Sequence, residues 1–169
     1  MPGDAFRRGD GGTVVRDAGF VAATAVGTDA DTNEKTLQSF TLPANTLHAS
    51  AHSLLRIHAQ GSFAANANTK TARLKFGSTL VATLTGAFNN GIWVLDAFIA
   101  GIAAAQSIYV SGRVTIASAI DFQADAGRAA GAEDGTTALT ITVTGENGTA
   151  AADDVVCDFM TVEYLTNLS

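Results

Sequence analysis

Along most of the chain, hydrophobic and polar residues alternate with a period of two, the spacing that puts one face of a β-strand inward. In residues 53–60, Leu55, Ile57 and Ala59 oppose Arg56, His58 and Gln60; in 71–76, Ala72, Leu74 and Phe76 oppose Thr71, Arg73 and Lys75. In 108–116, Ile108, Val110, Val114 and Ile116 alternate with Tyr109, Ser111, Arg113 and Thr115. The cleanest case is 139–144, where Leu139, Ile141 and Val143 interleave with three threonines, whose β-branched stems suit a pleated surface. Further strands are expected at 36–42, 79–85, 92–100 and 155–165. Turn signals separate many of them: Gly77-Ser78, Asn89-Asn90-Gly91, Asp134-Gly135 and Asn147-Gly148.

The pattern predicts an all-β chain, an antiparallel β-sandwich of about eight strands over 36–169, with an extended arm over 1–35. Glycines 9, 11 and 12 disfavour helix in the arm, which is expected either to be disordered or to become ordered on a neighbour. Ala104 and Ala105 favour helix locally, against a strand that begins with Ile92-Trp93-Val94-Leu95. The small residues of 123–137 predict an exposed excursion.

Two strands look apolar on both sides. In 92–100, Trp93, Leu95, Ala97 and Ile99 share one face, while Ile92, Val94 and Phe98 occupy the other, broken by Asp96. In 155–165, Val156, Met160, Val162 and Tyr164 lie with Asp158, and Val155, Cys157, Phe159 and Leu165 lie opposite. Such strands need cover on both sides. The second cover is either a loop or arm of the same chain, or a partner subunit; the latter assigns Ile92, Val94, Phe98, Met160, Val162 and Tyr164 to a subunit interface.

The 169 residues carry a formal net charge of -6 with scattered Lys and Arg, so no basic stripe is present to neutralise a phosphate backbone, and nucleic acid is not an expected partner. No run approaches the roughly 18 apolar residues of a membrane span, and the N-terminus lacks the apolar core of a signal peptide. Synthesis in a host cytoplasm, with no membrane partner, is the expectation. A single cysteine, Cys157, excludes an intrachain disulfide and reads as a small buried hydrophobe.

Candidate chemistry is sparse. His48 and His52 stand four apart, ligand spacing only on a helix, and with His58 they lack nearby cysteines or carboxylates, so no metal or other cofactor is expected. Asp29, Asp31, Asn33 and Glu34 lack calcium-loop spacing and read as a solvated turn, as do Asp153, Asp154 and Asp158. No nucleophile elbow and no phosphate-binding loop occurs, and no carboxylate pair is singled out, so the chain is not expected to be an enzyme. The arm gathers Phe6, Arg7, Arg8 and Arg16, an aromatic anchor with guanidinium forks suited to an acidic surface. Arg8-Gly9-Asp10 is a three-residue match of the kind chance supplies.

The stretch Gly61-Ser62-Phe63-Ala64-Ala65-Asn66-Ala67-Asn68-Thr69-Lys70, followed by Leu74-Lys75-Phe76-Gly77, resembles a pattern of tailed-phage virion structural proteins. Pro43-Ala44-Asn45-Thr46-Leu47 is similar to a second segment of that family, and Trp93 falls where its members carry a tryptophan. The match runs over about 36–100, more loosely to 165. The resemblance implies a jelly-roll-like module on the exterior of the virion, usually a homotrimer, with no catalytic role. The leading expectation is a capsid decoration (cement) protein that contacts the major capsid protein through Phe6, Arg7, Arg8 and Arg16. The alternative is a tail-fibre or tail-tip module that binds a host surface carbohydrate.

Overall fold

A computed structural model describes residues 5–7, 13–47, 53–102, 105–116, 119–121, 127–131 and 133–168. At 5–7, 13–18, 101–102, 105, 119–121, 127–130 and 166–168 it describes the backbone alone. The strands are β1 (Ala5–Arg7), β2 (Thr13–Ala22), β3 (Val26–Gly27), β4 (Lys35–Leu42), β5 (Leu54–Phe63), β6 (Lys70–Phe76) and β7 (Thr79–Gly86). They continue with β8 (Gly91–Ile102), β9 (Ala105–Ile116), β10 (Ala119–Asp121), β11 (Gly127–Gly131), β12 (Leu139–Asn147) and β13 (Val155–Leu168).

Two antiparallel sheets form the sandwich. The smaller has the order β4-β12-β6-β7; the larger runs β1-β2-β13-β5-β8-β9, with β10 and β11 both on the far side of β9 and β3 beside β13. The eight strands expected from the alternation are β4 to β9, β12 and β13. Most connections between them cross from sheet to sheet, as jelly-roll-like winding implies, whereas β6–β7 and β8–β9 are hairpins within one sheet.

The alternating apolar positions meet in one core. Leu74, Phe76, Ile141 and Val143 of the small sheet face Leu55, Ile57, Trp93, Leu95 and Ile99 of the large one, all buried. Trp93 fits because Gly61 stands across from it: a Cβ there would lie 2.3 Å from the indole ring. Of the two alanines expected to favour helix, Ala105 opens β9 as a strand residue and Ala104 lies outside the described residues; β8 continues to Ile102 and pairs with β9 along its whole length.

Three features differ from the pattern reading. The first lies in β13, where the register slips between Cys157 and Phe159. Asp158 is the extra residue of a β-bulge, so the inward set changes phase from Val155 and Cys157 to Met160 and Val162. Met160 and Val162 are therefore in the chain's own core, 0% and 2% exposed, and cannot serve the subunit interface expected of them. Tyr164 is partly buried against that core, and its hydroxyl donates to the Thr46 carbonyl.

The second is the arm. Its β2 backbone pairs with β13 from Met160 to Leu168, and β1 pairs with β2, so the segment extends the large sheet. The side chains of Phe6, Arg7 and Arg16, and all of Arg8, lie outside the described residues.

The third is the 123–137 excursion. Its β11 backbone lies on β9, and Glu133 ties the following turn to both sheets. Glu133 Oε1 accepts from the Ser78 amide at 2.9 Å, the Ser78 hydroxyl at 2.8 Å and the Thr79 hydroxyl at 2.7 Å, while its backbone exchanges two hydrogen bonds with the Gln106 side chain. Gly77, at φ 59°, opens the two-residue hairpin beneath it, the backbone a II′ turn needs at that position.

Candidate functional site

The residues that carry the phage-protein resemblance hold the fold together. Lys70 is fully buried, and its ammonium donates to the Asn66 carbonyl (2.9 Å), Asn66 Oδ1 (2.7 Å), the Asn68 carbonyl (3.0 Å) and the Phe88 carbonyl (2.9 Å). Asp154, 1% exposed, accepts from the side-chain amides of Asn66 (2.6 Å) and Asn68 (2.9 Å). Burial holds the Lys70 pKa below its ordinary value, against a raising pull from Asp154. The Asn-x-Asn-Thr-Lys run is thus a polar clasp that ties the β5–β6 connection to the start of β13. Pro43-Ala44-Asn45-Thr46 is likewise a turn: Asn45 takes φ 62°, and the Thr46 amide returns to the Pro43 carbonyl.

The acidic clusters also serve architecture. Asp29 pairs with Lys35, Asp31 accepts from the Asn33 amide, and Glu34 bridges Lys75 at 2.7 Å and the Thr144 hydroxyl. The Lys75 and Thr144 contacts hold the Glu34 carboxyl below the usual range. Burial pushes the Cys157 thiol up to about 12, so it is not a thiolate at neutral pH. His48 and His52 lie outside the described residues. Among the described residues no group of three potential ligands gathers to hold a metal ion.

What remains is the outer face of the large sheet. Antiparallel register sets its side chains in rows across β13, β5, β8 and β9. One row runs Glu163, Arg56, Phe98, Tyr109; the next Thr161, His58, Asp96, Ser111; the next Phe159, Gln60, Val94, Arg113. Arg56 lies over the Phe98 ring, 5.8 Å from its centroid, and approaches Glu163 at 3.5 Å. His58 Nδ1 meets Asp96 Oδ1 at 2.7 Å, and the imidazole rests on the Phe159 ring. Although Thr161, His58 and Asp96 are adjacent, no hydrogen bond links the Thr161 hydroxyl to the imidazole. That row is a hydrogen-bonded His58–Asp96 pair beside a hydroxyl.

Large apolar groups on this face stay in solvent: Ile92 is 52% exposed, Phe98 40%, Tyr109 50%, and Val21 on the neighbouring β2 67%. Of the residues expected at a subunit interface, the structure brings Ile92, Val94 and Phe98 together here, Val94 mostly covered at 6%. The pattern had marked Arg56, His58, Tyr109 and Arg113 as outward without joining them. Their rows exist only through the pairing of strands far apart in sequence. Asp96, the one break in an apolar run, was the available signal.

No protein-family model matches this chain, and no curated protein matches it. Two solved structures show a loose likeness. One is described as the CBM2 module of Lactobacillus casei BL23 phage J-1 evolved Dit, with a TM-score of 0.39 and 10% identity over 78% of this chain and 69% of that one. The other is protein SO2946 of unknown function from Shewanella oneidensis MR-1, with a TM-score of 0.42 and 12% identity over 96% of this chain and 74% of that one. Both overlaps are too loose to bear on function.

Proposed function

We propose that this chain is a non-catalytic structural protein of a tailed-phage particle, a capsid decoration protein that binds the outer shell as a homotrimer. The observation that carries this reading is the outer face of the large sheet, which leaves Ile92, Phe98 and Tyr109 in solvent beside Arg56 and Arg113. An open sheet face with a mixed apolar and charged surface suits a broad protein partner, and the phage-like clasp around Lys70 supports the same context. In this account the major capsid protein or a sister subunit covers the face. Several weak contacts per trimer then act together, so that separating shell subunits also means breaking decoration contacts.

Co-sedimentation with DNA-filled heads tests the reading, with native mass spectrometry for the trimer. Saturable binding that is lost in Phe98→Ser supports it; a folded protein that stays in the supernatant at every concentration sinks it.

One observation favours a second reading, a tail module that binds a host surface carbohydrate. Phe98 and Tyr109 pair across β8 and β9 and both reach solvent, as an aromatic platform for a sugar would, with Asp96 and Ser111 in the next row to accept and donate hydrogen bonds. A glycan array separates the two: specific glycan binding with no head binding selects this alternative.

A further inference from the structure

Two Asn-Gly pairs stand where strand meets turn in this chain, in opposite surroundings. Asn147 is 1% exposed and fully engaged. Its Nδ2 donates to the carbonyls of Asp29, Asp31 and Ala151, its Oδ1 accepts from the Thr28 hydroxyl, and the Gly148 amide donates to the Thr69 carbonyl. Asn90 is exposed on the connection from β7 to β8, at φ 55°. Only its backbone amide is tied, to the Ala64 carbonyl; its side-chain amide has no hydrogen-bond partner among the described residues.

We propose that Asn90 is a site of spontaneous deamidation in the folded protein and that Asn147 is protected from it. Reaction requires the side-chain carbonyl carbon to swing against the next backbone nitrogen, which a following glycine leaves unhindered. Base removes the Gly91 amide proton, the nitrogen attacks Cγ of Asn90, and the bond from Cγ to the side-chain nitrogen breaks. Ammonia leaves with a proton from solvent, and a cyclic imide remains. Water then opens the ring. Cleavage of the bond from Cγ to the Gly91 nitrogen gives aspartate; cleavage at the main-chain carbonyl gives isoaspartate, with one extra carbon in the backbone. No oxidation or reduction is involved. Either product places a new carboxylate two residues before Ile92. Isoaspartate also lengthens the chain just ahead of the Gly91–Ile116 pairing that begins β8. Asn147 would first have to leave its hydrogen bonds, an opening that few molecules sample at any moment.

The test is incubation of the full-length folded protein in mildly alkaline buffer, beside a urea-unfolded sample. Trypsin then separates the sites into peptides 76–113 and 129–169, and fragment spectra with an isoaspartyl methyltransferase assay locate the change. In urea both sites should convert at similar rates. In the folded protein Asn90 should convert faster than Asn147 by on the order of tenfold or more. Equal rates in the folded protein, or an intact Asn90 while the unfolded sample reacts, overturns the proposal.

Discussion

Taking a lysine ammonium out of water costs several kcal/mol unless oxygens replace the hydration shell. At Lys70 four oxygens do so, which makes the residue a tie between separate turns. Lys70→Met would strand three backbone carbonyls and leave Asp154 without the nearby positive charge. A loss of roughly 3 kcal/mol is expected in urea unfolding. Asp154→Ala should cost a similar amount, and the double variant less than the two together, because both act on one network. Two glutamates contribute to the acid response. Lys75 holds Glu34 low; burial alone would raise Glu133, but hydrogen bonds from Thr79 and Ser78 outweigh it and leave it below the ordinary value. As pH falls, the unfolded chain takes these protons first. Their stabilisation is therefore complete above the ordinary glutamate value of 4.5 and is lost as pH drops through the lower folded values. The urea midpoint should be flat above that value and fall below it, with a shallower fall in Glu133→Gln.

At the level of strands, alternation made β5, β6, β9 and β12 legible, because an inward residue every second position is the signature of a half-buried strand. Leu139, Ile141 and Val143 are all buried as that rule requires. The phase of β13 was not legible, since a bulge leaves no mark in composition; Asp158 looks like any outward acid. Nor was β2. Its glycine-rich surroundings hide the fact that strand pairing needs only backbone groups, which the free edge of β13 supplies. Removal of residues 1–22 should leave a β domain by circular dichroism but bare the β13 edge, and sedimentation should then show concentration-dependent association. A truncated protein that sediments in the same oligomeric state as the intact chain at every concentration would count against this role for β2. The β6–β7 hairpin is sensitive at one residue: Gly77→Ala places a Cβ 2.3 Å from Glu133 Oε2 at a left-handed φ. A loss of roughly 2 kcal/mol is expected, read from the urea midpoint.

For the whole molecule, the candidate site was legible only as separate outward residues, because it is assembled from β13, β5, β8 and β9. Its exposed charges contribute little to folding, since solvent-exposed pairs are worth about 0–1 kcal/mol. Phe98→Ser combined with Arg113→Glu should therefore leave the melting temperature nearly unchanged while head binding is abolished; a large drop in melting temperature would assign these residues to stability instead. The bulge in β13 has a consequence for how this gene can vary. With the odd residue at 158 excised, Phe159 follows Cys157 directly, and plain alternation still turns Val155, Cys157, Met160 and Val162 inward and Phe159 outward. A single-codon deletion there should therefore leave a folded protein, whereas deletion of the paired Thr161 would turn Val162 towards water and should not. Natural length changes are then expected in the turns and at this one unpaired position of the longest strand, and not at the paired positions around it.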